Sequence, residues 1–338
     1  MDFNTIWFLL VGILFAGYAI LDGFDLGVGA LSLFAKDDNE RRIHINAIGP
    51  VWDGNEVWLV TGGGALFAAF PPVYATVFSS FYLALMLLLA ALIFRAVSME
   101  FRGKVDSPAW RRLFDWMFGI GSLLPAILFG VALGNILRGI PLDETYTFTG
   151  TFLGLLNPYA ILIGLLTLSL FIMHGAIYMA IKTEGDLQSR MQGWANRGWM
   201  TSVILYVLAT IATFFAAPFL FDGILSSLYF WLVFLPMLGA VAYLPVMIKA
   251  ARYGMAFFAS SVMIAGALGL TGVSLYPRMV PSLTNLDYSL TIYAHSSTPL
   301  TLKVMLIIAL IGMPMVIGYT AVIYYIFRGK TEITEDSY

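Results

Sequence analysis

Apolar residues run along this chain in blocks of about 20, the length a helix needs to cross a hydrocarbon core of about 30 Å. The blocks fall near 5–33, 49–70, 74–98, 113–137, 158–181, 199–220, 227–249, 255–276 and 302–327. Each predicts one membrane-spanning helix, nine in all. Between the second and third, "AFPPVYAT" at 69–76 reads as a tight proline turn. The stretches near 138–157 and 277–301 are long enough to cover one outer surface, and no repeat of 20–50 residues is visible.

The polar segments between the blocks carry a second signal. Lys and Arg collect in the loops after spans 1, 3, 5 and 7 and in the C-terminal tail; with Arg95 they make fifteen, against Arg138, Arg278 and Lys303 on the opposite side. Basic residues mark cytoplasmic loops, so the alternation predicts an N-terminus outside and a C-terminus inside. The start, "MDFNTIWFLL", lacks the positive region of a cleaved signal peptide and reads as an uncleaved first span. The fold class expected is an all-α integral membrane protein of nine helices in a single transmembrane domain spanning 1–338. A first four-helix bundle would occupy about 1–140, a second about 155–276, and the ninth helix with its cytoplasmic tail about 300–338.

Composition narrows the class. Hydrophobic residues make up 60% of the 338 positions and charged ones 11%, far from the roughly 25% charged of soluble domains. A formal charge of −2 offers no basic surface for nucleic acid. Without cysteine there is no disulfide, iron–sulfur cluster or thiolate-bound metal, and a redox metal would need histidine.

Charges inside the blocks are the candidate chemistry, because each costs about 2.5–3.5 kcal/mol at membrane depth on the insertion scale and calls for a partner or a polar cavity. Asp22 and Asp25 lie three residues apart in "LDGFDLGVGA", among glycines that admit a close neighbour. Asp53 and Glu56 repeat the spacing in "GPVWDGNEVW". Asp25 precedes Lys36 by eleven residues and Asp53 follows Arg42 by eleven, each about 15 Å of helix from the cytoplasmic charges. The two pairs are therefore expected to meet at one height. Arg95 and Glu100 would supply a counter-ion and a further relay. Crowded carboxyl groups suit proton transfer, but single members can equally be static partners of Arg95. Trp52 and Trp58 are ordinary interface anchors or contacts for a quinone or lipid. Of the three histidines, His44, His174 and His295, no two share a depth, so no bis-histidine haem is expected here; a lone interior His174 reads first as a hydrogen-bonded core residue.

Several stretches together resemble subunit II of the cytochrome bd-type quinol oxidases: "LDGFDLGVG" (21–29), "ERRIHINAIGPVWDGNEVWLVTGGGALFAAFP" (40–71), "FRAVSMEFRGK" (94–104), "FGVALGNILRGIP" (129–141), "LLNPY" (155–159), "SLYPRMVPS" (274–282) and "SSTPLTLKVM" (296–305). The resemblance covers nearly the whole chain in order. It implies a heterodimer in a bacterial cytoplasmic membrane with a subunit I that carries the b- and d-type haems, oxidises quinol and reduces O₂ to water, at times with a small single-span accessory subunit. It also implies that Asp53 belongs to a cytoplasmic proton path, that Asp22 and Asp25 lie near the subunit interface, and that a structural quinone can reside in this subunit. Glu56 stands where relatives often carry Gln, and the long outer insertion that some relatives have between spans 6 and 7 is lacking. Read from the residues alone, two alternatives stay open: a proton-coupled secondary transporter and a purely structural scaffold subunit.

Overall fold

The nine apolar blocks all fall on helices. The structure, a computed structural model, describes residues 2–333, so residue 1 and the last five residues of the expected tail lie outside the described residues. The helices are α1 (Phe3–Ser32), α2 (Asp38–Ile48), α3 (Trp52–Ala69), α4 (Pro71–Ser80), α5 (Tyr82–Phe101), α6 (Pro108–Arg138), α7 (Pro158–Lys182), α8 (Gly185–Ala216), α9 (Leu228–Lys249), α10 (Tyr253–Leu275) and α11 (Pro299–Ile326). Strands β1 (Arg278–Val280) and β2 (Leu290–Thr291) form a small antiparallel pair. Among the described residues eight helices, α1 and α5 to α11, are long and apolar enough to cross a membrane. The chain is a multi-pass membrane protein. The block at 49–70 is the exception: α3 has 18 residues, and its acids, Asn55 and glycines dilute its apolar character.

Two local features differ from expectation. The proline turn at 69–76 contracts to Phe70, because Pro71 and Pro72 open α4 where a helix needs no backbone donor. α4 then runs almost unbroken into α5: Phe81 donates to the Val77 carbonyl at 3.0 Å and accepts from Leu85 at 2.8 Å. The first basic loop also holds the amphipathic helix α2, capped by Asp37, whose carboxylate accepts from the Glu40 N–H at 2.9 Å.

α1 is the central column and packs against α3, α6, α7, α10 and α11. Where lipid is as apolar as the side chains, helices associate by close packing and hydrogen bonds, which favours small residues at contacts. Gly27 and Gly175 supply them: a Cβ on Gly27 would stand 1.9 Å from the Phe171 carbonyl oxygen, and one on Gly175 2.6 Å from the Val28 nitrogen. Backbone of α1 therefore lies directly on backbone of α7. Helices α7, α8, α9 and α10 touch in a ring, each its chain neighbour and α10 also α7.

The two ends differ. At one end the 138–157 and 277–301 segments fold over the helices around buried Ile140, Leu142, Val280, Leu290 and Ile292. Ser297 fastens that cover to the end of α3, donating from its N–H to the Ala69 carbonyl and from its hydroxyl to that of Ala68. At the other end ion pairs tie the basic loops together: Lys36 to Asp186 at 2.8 Å, Arg190 to Glu40 at 2.6 Å, and Arg102 to both Asp115 and Asp38. α11 is the least embedded helix, with Leu302 its one buried residue. Its lower end is held by the start of the tail, where Thr331 N–H donates to the Lys182 carbonyl and Lys330 Nζ to that of Thr183.

Candidate functional site

Arg95 of α5 is the hub. It is completely buried, as are Asp22 and Asp25 one turn apart on α1. Its Nη1 donates to Asp22 Oδ2 at 3.0 Å and its Nη2 to Asp22 Oδ1 at 2.5 Å, a two-pronged pair. The same guanidinium lies 3.9 Å from Asp25 Oδ2 and 3.5 Å from Glu56 Oε1 of α3. Three carboxyl groups thus surround one cation. Such a pair is held in place by the cost of exposing either charge alone to a low-dielectric interior.

A polar chain continues from Asp25. Asn55 Nδ2 donates to Asp25 Oδ2 at 2.8 Å and to the Leu21 carbonyl at 3.2 Å, and Tyr324 of α11 donates its hydroxyl to Asn55 Oδ1 at 3.1 Å. Asp25 Oδ1, Glu56 Oε1 and Arg95 Nε are buried with no hydrogen-bond partner among the described residues. Buried polar atoms are nearly always bonded, to ordered water where protein does not reach. All three belong to side chains gathered around the Arg95 guanidinium.

The expected meeting of two acidic pairs, Asp22/Asp25 and Asp53/Glu56, is met in part. Asp22, Asp25 and Glu56 come together around Arg95, and the height match is close, since Asp25 bonds Asn55, two residues from Asp53. Asp53 itself faces away and is exposed. On a helix, two residues are about 200° apart, so when Asn55 points at α1, Asp53 points outward, and Glu56 falls between and is half-buried. Asp53 shares its outer face with the exposed Val57, Val60 and Phe67. Glu100 is exposed on the last turn of α5, away from the hub. Trp58 lies flat on α1, where a Cβ on Gly17 would meet its ring at 2.4 Å, and half-buried Trp52 packs against the main core.

The histidines stand apart, as their spacing predicts. His174 is a satisfied interior residue: Nε2 donates to the Ile20 carbonyl at 3.1 Å, Nδ1 pairs with the Ser260 hydroxyl at 2.7 Å, and the ring stacks on Phe257. His295 accepts from the Thr291 N–H in the loop cover formed by 138–157 and 277–301. His44 of α2 donates from Nδ1 to the Glu40 carbonyl at 2.8 Å; burial holds its imidazole below the ordinary pKa. Among the described residues no group of three or more His, Asp or Glu is placed to hold a metal ion.

Comparison with known proteins gives the family. The family model of cytochrome bd terminal oxidase subunit II matches residues 3–327. The chain belongs to that family. It is therefore a subunit of a membrane-bound terminal oxidase, an oxidoreductase complex, and the stand-alone transporter reading falls away. Similar proteins include the cytochrome bd-I ubiquinol oxidase subunit 2 of Escherichia coli (strain K12), 38% identical over 96% of this chain and 94% of that one. The cytochrome bd ubiquinol oxidase subunit 2 of Bacillus subtilis (strain 168) is 38% identical over 98% of each. Among solved structures, a chain of the bd oxidase from Geobacillus thermodenitrificans superposes with a TM-score of 0.81 over 97% of this chain and 99% of that one; at 17% identity the likeness is one of fold.

Sequence reasoning missed Asn55 and Tyr324. Asn55 carried a signal, being a polar side chain between two acids in an apolar block. Tyr324 carried none, because "VIYYIF" looks like any aromatic membrane end.

Proposed function

We propose that this chain is the haem-free subunit II of a quinol:O₂ oxidoreductase in a bacterial cytoplasmic membrane, and that it supplies part of the path by which protons reach the oxygen-reducing haem d of subunit I. In that complex the b- and d-type haems belong to the partner, quinol gives up electrons there, and O₂ takes electrons and protons to become water. The chain spans nine times, α3 included, with its basic loops in the cytoplasm. It forms two four-helix bundles and a ninth helix; the ring of contacts from α7 to α10 supports the second bundle. The names of the relatives support quinol as the electron donor.

The observation that carries the proton reading is the placement of Asp53. An exposed carboxylate on an otherwise apolar face with Val57, Val60 and Phe67 fits a surface that a partner covers, since a docked helix would bury both together. One turn inward, Glu56 offers an unbonded Oε1 3.5 Å from Arg95. A proton arriving at Asp53 passes to the partner directly, and Glu56 buffers the same spot through ordered water. Neutralising Asp53 as Asn in the assembled complex tests this. Oxygen consumption with a soluble quinol falls while haem spectra stay intact. Unchanged turnover with intact haems removes Asp53 from the path.

One observation favours a scaffold role for part of the site. Asp22 is locked to Arg95 at both oxygens with no exposed surface, so it holds α1 to α5 rather than carrying protons. An accessory single-span peptide and a structural quinone beside Trp52 and Trp58 are compatible with this arrangement and are tested by the composition of the purified complex.

A further inference from the structure

A cavity of about 440 Å³ opens at the basic end of the helices, away from the Arg95 hub. Its walls are the last turn of α1 (Ser32, Leu33), the start of α2 (Asp38, Arg41) and the first turns of α6 (Arg111, Arg112, Asp115, Trp116). In volume it falls among small-molecule sites, which run from about 300 to 1,000 Å³. In charge it is lopsided. Its two acids are already engaged by the buried Arg102, whose Nε donates to Asp115 at 2.6 Å and whose Nη2 donates to Asp38. Arg41 Nε lies 3.7 Å from Asp115, and Arg111 pairs with the exposed Asp106 at 2.8 Å. Arg112 is exposed, and among the described residues no carboxylate stands within ion-pair distance of it. Four arginines therefore face three aspartates, and the excess charge lies on the open side.

The surroundings tell which anion belongs there. Directly beyond the cavity, Leu113, Trp116 and Ile120 form an exposed apolar stripe down α6 at the spacing of one helix face. Trp116 belongs to both the cavity and the stripe. A basic pocket at the inner end of a membrane helix, continued by an apolar strip and marked by a tryptophan, matches the two halves of a lipid. Free phosphate or a soluble phosphate ester would use the arginines and leave the strip unused.

We propose that this cleft binds the phosphate of an anionic phospholipid, with Arg41, Arg111 and Arg112 on the headgroup and an acyl chain along Leu113, Trp116 and Ile120. The buried Arg102 is a positioning residue: by engaging Asp38 and Asp115 it leaves Arg41 and Arg112 available to the lipid, while Arg111 turns to it from the exposed Asp106. The site is independent of the proton reading.

The test uses the intact complex in neutral detergent. Its thermal midpoint is followed on addition of phosphatidylglycerol, phosphatidylcholine or inorganic phosphate, and retained lipid is counted by native mass spectrometry. The expected result is a rise with phosphatidylglycerol that phosphatidylcholine does not match, with phosphatidylglycerol retained on the complex. Arg112→Gln, an exposed side chain whose loss leaves the fold intact, weakens retention about five-fold, the factor expected for one basic group at a membrane surface. R41Q/R112Q weakens it further, and Arg252→Gln, at the foot of α10, leaves it unchanged. Equal responses to the two lipids overturn the proposal, as does full retention in the double variant. If inorganic phosphate at the same concentration reproduces the whole response, the site takes a soluble anion and the lipid assignment fails.

Discussion

Arg95 holds Asp22 by both carboxylate oxygens, at 3.0 and 2.5 Å, with neither side chain exposed. Removing one member of a buried pair strands the other and costs about 3–5 kcal/mol. Arg95→Met leaves Asp22, Asp25 and Glu56 without their common cation. Assembled complex should fall sharply and the remainder melt earlier; Arg95→Lys, a point charge without the planar fork, should rescue little. R95M/D22L should regain part of the loss, because it removes charge from both sides. Normal yield and midpoint in R95M would show that the pair carries no structural weight.

Asn55 and Tyr324 form successive links, and the first matters more. Asn55→Ala deprives Asp25 of the donor at 2.8 Å in a buried setting, a change worth about 1–3 kcal/mol. Tyr324→Phe removes one hydroxyl bond, worth about 1 kcal/mol. Thermal midpoints of the two variants rank them, and a larger drop for Y324F contradicts the order.

At the α1–α7 contact, Gly27→Ala places a methyl 1.9 Å from the Phe171 carbonyl oxygen. Neither backbone can yield without moving a helix, so the loss should reach or exceed the roughly 1–3 kcal/mol usual for overpacking. Gly63→Ala and Gly64→Ala on α3, where a Cβ meets nothing within 4 Å, should fold like the parent chain. Poor assembly of either α3 variant would reveal a partner closely packed on that face.

His44 should make α2 sensitive to mild acid. Burial holds its folded pKa below the ordinary 6.5, so between those two values the unfolded chain binds more protons than the folded one. The sign follows: its stabilising effect is complete above pH 6.5 and fades as pH falls toward the folded value. Hydrogen exchange over 38–48 should quicken from pH 7.5 to 5.5, and His44→Gln should remove most of that change. An identical pH response in H44Q assigns the effect to other groups.

Helix positions were readable in the sequence because apolar length is a strong constraint in lipid; α2 escaped because it is short and polar, lying outside the blocks. The acidic centre was legible as to depth and less so as to direction. Eleven residues on either side of the first loop brought Asp25 level with α3, but rotation about α3 depends on which residue packs on α1, and Asn55 took the position expected of Asp53. Asp22 and Asp25, at three-residue spacing, do face one neighbour. That neighbour is Arg95, whose burial one sequence could suggest but not its choice among three acids. Tyr324 comes from the opposite end of the chain, a distance that no local pattern bridges.

That last contact has a bearing on biogenesis. α11 leaves the ribosome after the other described helices, and its Tyr324 hydroxyl is what closes over Asn55 beside Asp25. Until α11 is made, the carboxyl-lined core therefore lacks that cover. A chain stopped before 299 would insert its earlier helices with that flank unsealed.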